Sequence, residues 1–330
     1  MSKVLIQVTI NILIGVVLIF VWLKFVNLDQ IINTLKTTDL KFALVFFIFF
    51  IISSFLRAWR LKVLLHQFKV PFKKIFYLNF LSQFLSFLIP LRLGELSKSV
   101  YLNTHFDLPL AKSVVWVFID RFLDLWANLL LISLVLLLVS TKLSNNFQII
   151  VLLILLIFSL VPIIIIKSSS LSKKIIAIFS NFLVFKKIKI VFQNTANSII
   201  DGFNILQRDV KEVSFLLALT ILATISDSFM WLFILYSLGI NFSFLKNLLG
   251  SLLTALTFLI PAAPGYVGSA EAAGLAVYSG FLGLDPNIAS AGAVLNHVLT
   301  IVAVLIFGLG SLYLLKFDLA LVFKKLLKKN

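Results

Sequence analysis

Long apolar runs, separated by short charged or polar stretches, occupy most of the chain. Four runs contain no charged residue and reach or exceed the roughly 20 residues that a helix needs to cross a bilayer: 4–23, 143–166, 247–270 and 286–315. Two shorter runs lie at 42–56 and 75–91. This pattern predicts an all-α polytopic membrane protein. The first run is too long for the apolar core of a signal peptide, so we interpret it as a retained helix.

The basic residues indicate which loops face the cytoplasm. Six Lys or Arg lie within residues 57–74, eight within 167–211 and five within 316–329. Residues 141–146 and 239–285 contain one lysine each. Cytoplasmic loops of membrane proteins carry the excess of Lys and Arg. We therefore place the three basic segments, including the C-terminus, on the cytoplasmic side of the plasma membrane.

Two runs fit re-entrant hairpins better than full crossings. The run 75–91 has basic residues at both ends, so both ends appear cytoplasmic, and Pro90 and Gly94 break the helix. The run 247–264 has low charge at both ends, and its continuation at 271–282 is too short to cross. The second hairpin is therefore expected to enter from outside.

These segments form two similar halves. Helix 41–64, hairpin 75–107 and helix 113–140 correspond to helix 214–238, hairpin 247–283 and helix 286–315, in the opposite orientation. A shift of 176 residues pairs Glu95 with Glu271, Asp120 with Asn296 and Arg121 with His297. Such an arrangement is an inverted repeat, typical of transporters whose binding site lies at the repeat interface.

The predicted architecture has about six full transmembrane helices and two re-entrant helical hairpins. Residues 1–330 are treated as one integral membrane domain. It contains the first repeat half at 41–140, an amphipathic cytoplasmic linker at 167–212 and the second half at 214–315. The alternative for the linker is a solvated cytoplasmic loop.

Composition narrows the function further. The chain is 61% hydrophobic with a formal net charge of +16, and its basic residues lie at the ends of apolar runs, so anionic lipid head groups explain the charge better than nucleic acid does. There are no cysteines and three scattered histidines, and no glycine-rich phosphate loop or hydrolase motif is present. We therefore expect no metal, no cofactor, no nucleic-acid partner and no catalytic residues.

The helix breaks are the least ordinary part of the sequence. The second half breaks at Pro261, Pro264, Gly265 and Gly268, just before Glu271. Helix N-termini exposed at such breaks favour anions such as phosphate. A turn between ordinary helices is the plain alternative. Paired with the break at Pro90 and Gly94, this segment predicts a head-group cavity between the hairpins.

Several ionisable residues lie within or beside these segments. Arg92 and Glu95 flank the first break, where Arg92 could hold a phosphate bidentately. Arg92 could instead snorkel to the interface while Glu95 pairs with Lys98. Asp120, Arg121 and Asp124 lie inside a predicted crossing helix, where charges are usually paired or functional. They could equally form a structural clamp, with Arg121 and Asp124 paired directly.

The remaining candidates lie on four helices. Arg57 and Arg60 either contact a lipid phosphate or anchor a helix end. Asp227 has no local partner, so we expect its partner in the first half. In the second half, Asn296 and His297 match Asp120 and Arg121, and His297 is either a proton relay or a hydrogen-bonded core residue. We expect Glu271 to act with basic residues of the first half across the midplane.

The motifs together resemble a known family. Arg57-x-x-Arg60, Pro90-x-Arg92-x-Gly94-Glu95, Asp120-Arg121-Phe122-x-Asp124 and Pro261-x-x-Pro264-Gly265-x-x-Gly268-x-x-Glu271 are similar to the lysylphosphatidylglycerol synthase transmembrane family. This is the flippase-like membrane domain found alone or in bacterial multiple peptide resistance factors. The resemblance implies translocation of an anionic, aminoacylated or polyprenyl-linked lipid between leaflets.

The resemblance also implies that both hairpins frame the lipid head group. In that family a separate soluble domain performs aminoacyl transfer, and this chain ends fifteen residues after its last predicted helix. We therefore expect a transporter and not an enzyme. A membrane-embedded enzyme or accessory subunit of lipid aminoacylation, and a non-catalytic scaffold, remain the alternatives. Its partners would be a membrane phospholipid or lipid-linked substrate, with a homo-oligomer or a separate lipid-modifying enzyme left open.

Overall fold

The computed structural model describes residues 3–88, 94–139, 149–157, 169–181, 210–258 and 263–318, with 146, 189–190, 193 and 197 besides. This part of the chain is helical and contains no strand. In chain order the helices are α1 (Lys3–Leu23), α2 (Leu28–Lys36), α3 (Leu40–Leu64), α4 (Phe72–Leu88), α5 (Leu96–Phe106), α6 (Leu110–Leu136), α7 (Ser169–Asn181), α8 (Val210–Ser237), α9 (Phe244–Thr257), α10 (Ser269–Gly274) and α11 (Pro286–Leu314). Residues 149–157 are also helical. A 3-10 turn, Pro264–Tyr266, precedes α10, which continues as the π-helix Leu275–Phe281.

Three described helices, α3, α8 and α11, are long and apolar enough to cross a membrane. A fourth span results if the segments Gly15–Leu23 and Leu28–Lys36, which meet at a 90° bend, are counted together. The outer face of α3 exposes large apolar side chains, among them Leu44, Ile48 and Phe55. Such a surface would be unfavourable in water and suits lipid. The fold is that of a helical membrane protein.

The centre of the molecule is the antiparallel pair α3 and α8. Near one end Phe42 stacks on Phe233 at 6.3 Å between ring centroids, and near the other Trp59 meets Phe215 at 5.9 Å. Residue numbers rise along one helix as they fall along the other. The pair therefore brings the first and second halves of the chain into direct contact along its length.

The other helices are arranged around this pair in two equivalent sets. In the first half α3 contacts α4, α4 contacts α5, and α5 contacts α6. In the second half α8 contacts α9, α9 contacts α10, and α10 contacts α11. Between the halves, α4 packs on α11 and α9 packs on α6. Exchanging each helix for its counterpart converts every one of these contacts into another member of the set.

The helix bounds agree closely with the sequence prediction for the long helices. Helices α3, α8 and α11 begin and end within four residues of the predicted 41–64, 214–238 and 286–315. Each predicted hairpin contains two helices separated by a break, α4 and α5 in the first and α9 and α10 in the second. Apolar run length therefore located these elements well.

One helix was not predicted. Helix α2 contains too many polar residues to be recognised as an apolar run. Its start is nevertheless marked clearly, because the Asn27 side chain accepts a hydrogen bond from the Gln30 amide. Its neighbour Asn287, at the start of α11, accepts from the Asn27 amide at 2.7 Å. Helix α2 thus packs across the beginning of α11.

Parts of two predicted segments fall outside the described residues. The predicted helix 147–166 is seen as helix over 149–157, and 158–166 lie outside. The predicted linker 167–212 contains α7, while most of its second part and the C-terminal residues 319–330 also lie outside.

The contact between α4 and α11 is unusually close at Gly308. A Cβ atom on Gly308 would lie 2.3 Å from the Cβ of Phe84, well inside contact distance. Two residues further on, Gly310 has no atom within 4 Å of the same position. Only the first of these glycines is therefore required for the two helices to approach.

Candidate functional site

A buried ionic network lies between α3, α5, α6 and α8. At its centre is Arg60 on α3, whose side chain is 0% exposed. Its Nε lies 2.7 Å from Asp120 Oδ1, and its Nη1 donates to Asp124 Oδ1 at 2.5 Å and to the Thr220 hydroxyl at 3.0 Å. A guanidinium without water needs such partners. Arg60 is therefore an internal ion and not a helix-end anchor.

Lys98 of α5 completes the inner part of the network. Its side chain is fully buried, with Nζ 3.0 Å from Glu95 Oε2 and 3.7 Å from Asp120 Oδ2. Sequence analysis considered Lys98 only as a local partner for Glu95. The available signal was a lysine three residues after a glutamate in an otherwise uncharged stretch, but its second contact comes from α6 and has no trace in local spacing.

Arg57 lies one helical turn before Arg60, at the partly exposed edge of the network. Its Nη2 lies 2.5 Å from Asp227 Oδ2 on α8, and its Nε lies 3.8 Å from Asp124. The Ser53 hydroxyl donates to Asp227 at 2.5 Å and also contacts Arg57. The predicted first-half partner of Asp227 is therefore confirmed, and it is Arg57.

Arg121 forms the other part of this edge. It lies 3.1 Å from Asp124, 2.9 Å from Asp120 and 3.6 Å from Glu95. The predicted pairing of Arg121 with Asp124 on one helical face is confirmed. At 29% exposure, Arg121 is the most accessible cation of the network, whereas Arg60 and Lys98 are closed to solvent.

Among the residues that the structure describes, the network is electrically balanced. Four cations and four carboxylates of this part of the chain meet in it, so their formal charges cancel: Arg57, Arg60, Lys98, Arg121, Glu95, Asp120, Asp124 and Asp227. Its inner layer, Arg60 with Lys98 and Asp120, is buried. Its outer layer, the other five residues, is 14–33% exposed. Asp124 of the outer layer contacts Arg60, and Arg121 of the outer layer contacts Asp120, so the two layers are directly connected.

The second half holds a smaller pair. Glu271 Oε1 lies 2.6 Å from His297 Nδ1, and Glu271 Oε2 accepts from the Gly268 amide at 2.9 Å. The other ring nitrogen of His297, Nε2, lies 2.6 Å from the Gly265 carbonyl oxygen. We expected Glu271 to act with basic residues of the first half. In the described part of the chain its ionisable partner is His297, because the turn at Gly268 directs the carboxylate towards α11.

The two pairs are equivalent in position. Glu95 and Glu271 are 176 residues apart, as are Arg121 and His297. In each half the glutamate begins a hairpin helix and faces a basic residue of the following long helix. The sequence match thus corresponds to a match of contacts. Asn296, the counterpart of Asp120, is half-buried, and its backbone carbonyl accepts from the Thr300 hydroxyl.

Both hairpins break where glycine and proline predicted. Gly94 and Glu95 form a short 3-10 turn before α5. In the second hairpin Pro264 begins a 3-10 turn, Gly265 has φ +70° and Gly268 has φ +79°, a region that residues with a side chain rarely adopt. Phe87, near the end of α4, lies against both Gly265 and His297, so the two breaks approach each other. The candidates Pro90, Arg92 and Pro261 lie outside the described residues.

Fold and site together define a class: a helical membrane protein with a compensated ionic network in its interior and broken helices beside it. Residues 8–308 match the family model described as the lysylphosphatidylglycerol synthase TM region. The chain belongs to this family, as its motifs predicted. No curated protein and no solved structure compared with the chain matches it. Family membership makes this a membrane domain of lipid modification or transport.

Proposed function

We propose that this protein is a lipid flippase, moving an anionic, aminoacylated or polyprenyl-linked lipid between membrane leaflets. The observation that carries the proposal is the charge-balanced network with its partly exposed outer layer. Ions inside a membrane protein are costly and usually line a substrate path. Eight of them form one cluster between α3, α5, α6 and α8, and five of these are partly exposed.

Arg57 and Arg121 are the head-group ligands in this proposal. Both lie in the outer layer, and Asp124 lies between them, at 3.8 Å from Arg57 and 3.1 Å from Arg121. A lipid phosphate entering here would replace carboxylates that already hold the arginines in place. Guanidinium groups bind phosphate bidentately, which suits such an exchange. The ground state is then a set of internal ion pairs, which substrate replaces one by one.

The proposed topology has six crossings, namely α1, α3, α6, the helix containing 149–157, α8 and α11. Two re-entrant hairpins, α4–α5 and α9–α10, enter from opposite faces. The exchange of contacts between the halves, described above, supports an inverted repeat. We place the protein in the plasma membrane with its C-terminus in the cytoplasm, on the basis of the lysine distribution.

Reconstitution into liposomes tests the function. Wild-type protein should accelerate the inter-leaflet movement of fluorescent phosphatidylglycerol or of its lysyl ester, followed by quenching of the outer leaflet with a reductant. Arg121→Gln should slow this movement about tenfold or more, the equivalent of one charge-assisted hydrogen bond. Lys112→Gln is the matched control, since Lys112 is an exposed cation at the start of the same helix.

Two results would overturn the proposal. One is wild-type protein that inserts correctly yet moves none of these lipids. The other is equal slowing by both variants, which would show that the network does not contact the lipid. Formation of a new lipid product without movement would favour a membrane-embedded enzyme instead.

A further inference from the structure

The pair Glu271–His297 differs chemically from its counterpart Glu95–Arg121 in one respect. An arginine is always charged at physiological pH, whereas the imidazole of histidine gains and loses its proton there. The two halves thus contain a permanent and a titratable version of the same contact. The titratable version lies where the second hairpin breaks.

The contacts of His297 determine how many protons the pair holds. Both ring nitrogens face oxygen acceptors at 2.6 Å, a carboxylate on Nδ1 and a backbone carbonyl on Nε2. A hydrogen must therefore lie between each ring nitrogen and the oxygen that faces it. An imidazolium beside an ionised Glu271 meets this requirement, and so does a neutral imidazole beside a protonated Glu271. Both states are neutral overall and contain the same number of protons.

Removing one proton breaks this arrangement. The imidazole would then have a single N–H, so one nitrogen lone pair would face an oxygen lone pair at close range. Either the Glu271 contact or the Gly265 contact must lengthen. Both residues belong to the start of the second hairpin, while His297 belongs to α11. We propose that Glu271 and His297 form a proton-binding site whose occupancy fastens the second hairpin to α11.

The surroundings of His297 leave Glu271 as its charged neighbour in the described part of the chain. The elements packed on α11 otherwise present uncharged groups to it, or hold their charges elsewhere. Asp227 of α8 is held by Arg57. The side chains that pack on α11 from α1, α2, α3, α4, α8 and the residue after α8 include these uncharged ones: Trp22, Gln30, Phe50, Phe80, Phe84, Phe87, Trp231, Leu235 and Leu238.

For the proposed function, on which this consequence rests, the site supplies a link between proton binding and hairpin position. A lipid transporter without a nucleotide site can draw on an ion gradient. Here the proton would enter and leave at the second hairpin while the lipid phosphate exchanges partners at the outer layer of the first half. Phe87 of the first half lies beside Gly265, with its ring centroid 6.1 Å from that of His297, so α4 reaches the proton site.

Hydrogen–deuterium exchange of the purified full chain in detergent tests the site directly. After correction for intrinsic rates, amides in 263–274 should lose about tenfold of their protection as the pH rises from about 5.5 to about 8.5, the worth of one charge-assisted hydrogen bond. In Glu271→Gln the side-chain amide can donate to Nδ1 of a neutral imidazole. Protection in this nearly isosteric variant should therefore not change with pH.

The other two histidines provide controls, because both are exposed: His66 lies in the turn after α3 and His105 lies on α5. His66→Gln and His105→Gln should retain the pH dependence. Wild-type protection that does not change with pH, or a Glu271→Gln variant that titrates like wild type, would overturn the site and leave the proposed function intact. Absence of lipid movement in liposomes would count against the proposed function alone, since the exchange measurement requires no transport.

Discussion

Arg60 is a fully buried ion that the protein contacts in place of water at Nε and Nη1, while its Nη2 has no hydrogen-bond partner among the described residues. Two carboxylates of α6 and one hydroxyl of α8 contact it, and no part of its side chain reaches solvent. The Coulomb energy of such a pair roughly offsets the desolvation of its members, so the net stabilisation is small while both partners remain. Removal of one partner is strongly destabilising, because it leaves the other charge buried without a counter-ion.

We expect Arg60→Gln to lower the free energy of unfolding by about 3 to 5 kcal/mol, because Asp120 and Asp124 would lose the fully buried one of the two cations that they share, and only Arg121 would remain. Unfolding in mixed detergent micelles, followed by tryptophan fluorescence, measures this change. Lys62→Gln on the same helix is the control, since the Lys62 ammonium donates to a single carbonyl, that of Val70. A double variant, Arg60→Gln with Asp120→Asn, should recover part of the loss. Wild-type stability in the single variant would contradict the network.

The packing of the helices against one another depends on groups much smaller than these charged side chains. The approach of α4 to α11 is set by Gly308, against which Phe84 lies without room for a methyl group. Because small residues let helices approach closely in membranes, dispersion contacts between the two helices increase at such a site. This contact also brings the end of α4 towards the second hairpin.

Gly308→Ala should therefore destabilise the protein by about 1 to 3 kcal/mol, the usual effect of overpacking. Gly310→Ala is a matched control on the same helix, where open space lets the gain in helix propensity, up to about 1 kcal/mol, appear unopposed. Thermal unfolding of both variants in one detergent would show opposite shifts. Equal shifts would mean that α4 and α11 do not pack at this glycine.

The arrangement of the halves predicts sidedness. Thr104 and Gly280 are both exposed, lie near the far ends of the two hairpins and are 176 residues apart. The chain has no cysteine, so Thr104→Cys and Gly280→Cys provide single labelling sites. An inverted repeat places them on opposite sides of the membrane. A membrane-impermeant maleimide should label Gly280→Cys from outside intact cells and Thr104→Cys only in inverted vesicles, and labelling of both from one side would refute the repeat.

Sequence reasoning located the elements better than their contacts. Apolar run length gave α3, α8 and α11, and glycine with proline gave the hairpin breaks, because both signals are local. Helix α2 was missed because it is short and too polar to form an apolar run, although Asn27 marks its start clearly. Long-range packing against α11 holds it in place, and no local pattern records that.

Sequence analysis identified the residues of the site better than it identified which of them contact one another. The lack of any local partner correctly indicated that Asp227 pairs across the halves. The same reasoning predicted a first-half basic partner for Glu271, whereas among the described residues its partner is a histidine 26 residues further along. Asp227 and Glu271 both lack basic neighbours in sequence. Only the turn at Gly268, which fixes the direction of the carboxylate, distinguishes the two cases.

The cancellation of charge within the network has an electrical consequence. A group gains or loses about 2.3 kcal/mol for each elementary charge that it carries across a potential difference of about 100 mV. The four cations and four carboxylates, displaced together, carry no net charge. The membrane voltage therefore performs no work on them as a unit. Voltage would act instead on whatever breaks the balance, namely a bound lipid phosphate or the negative charge left at Glu271 when its proton departs.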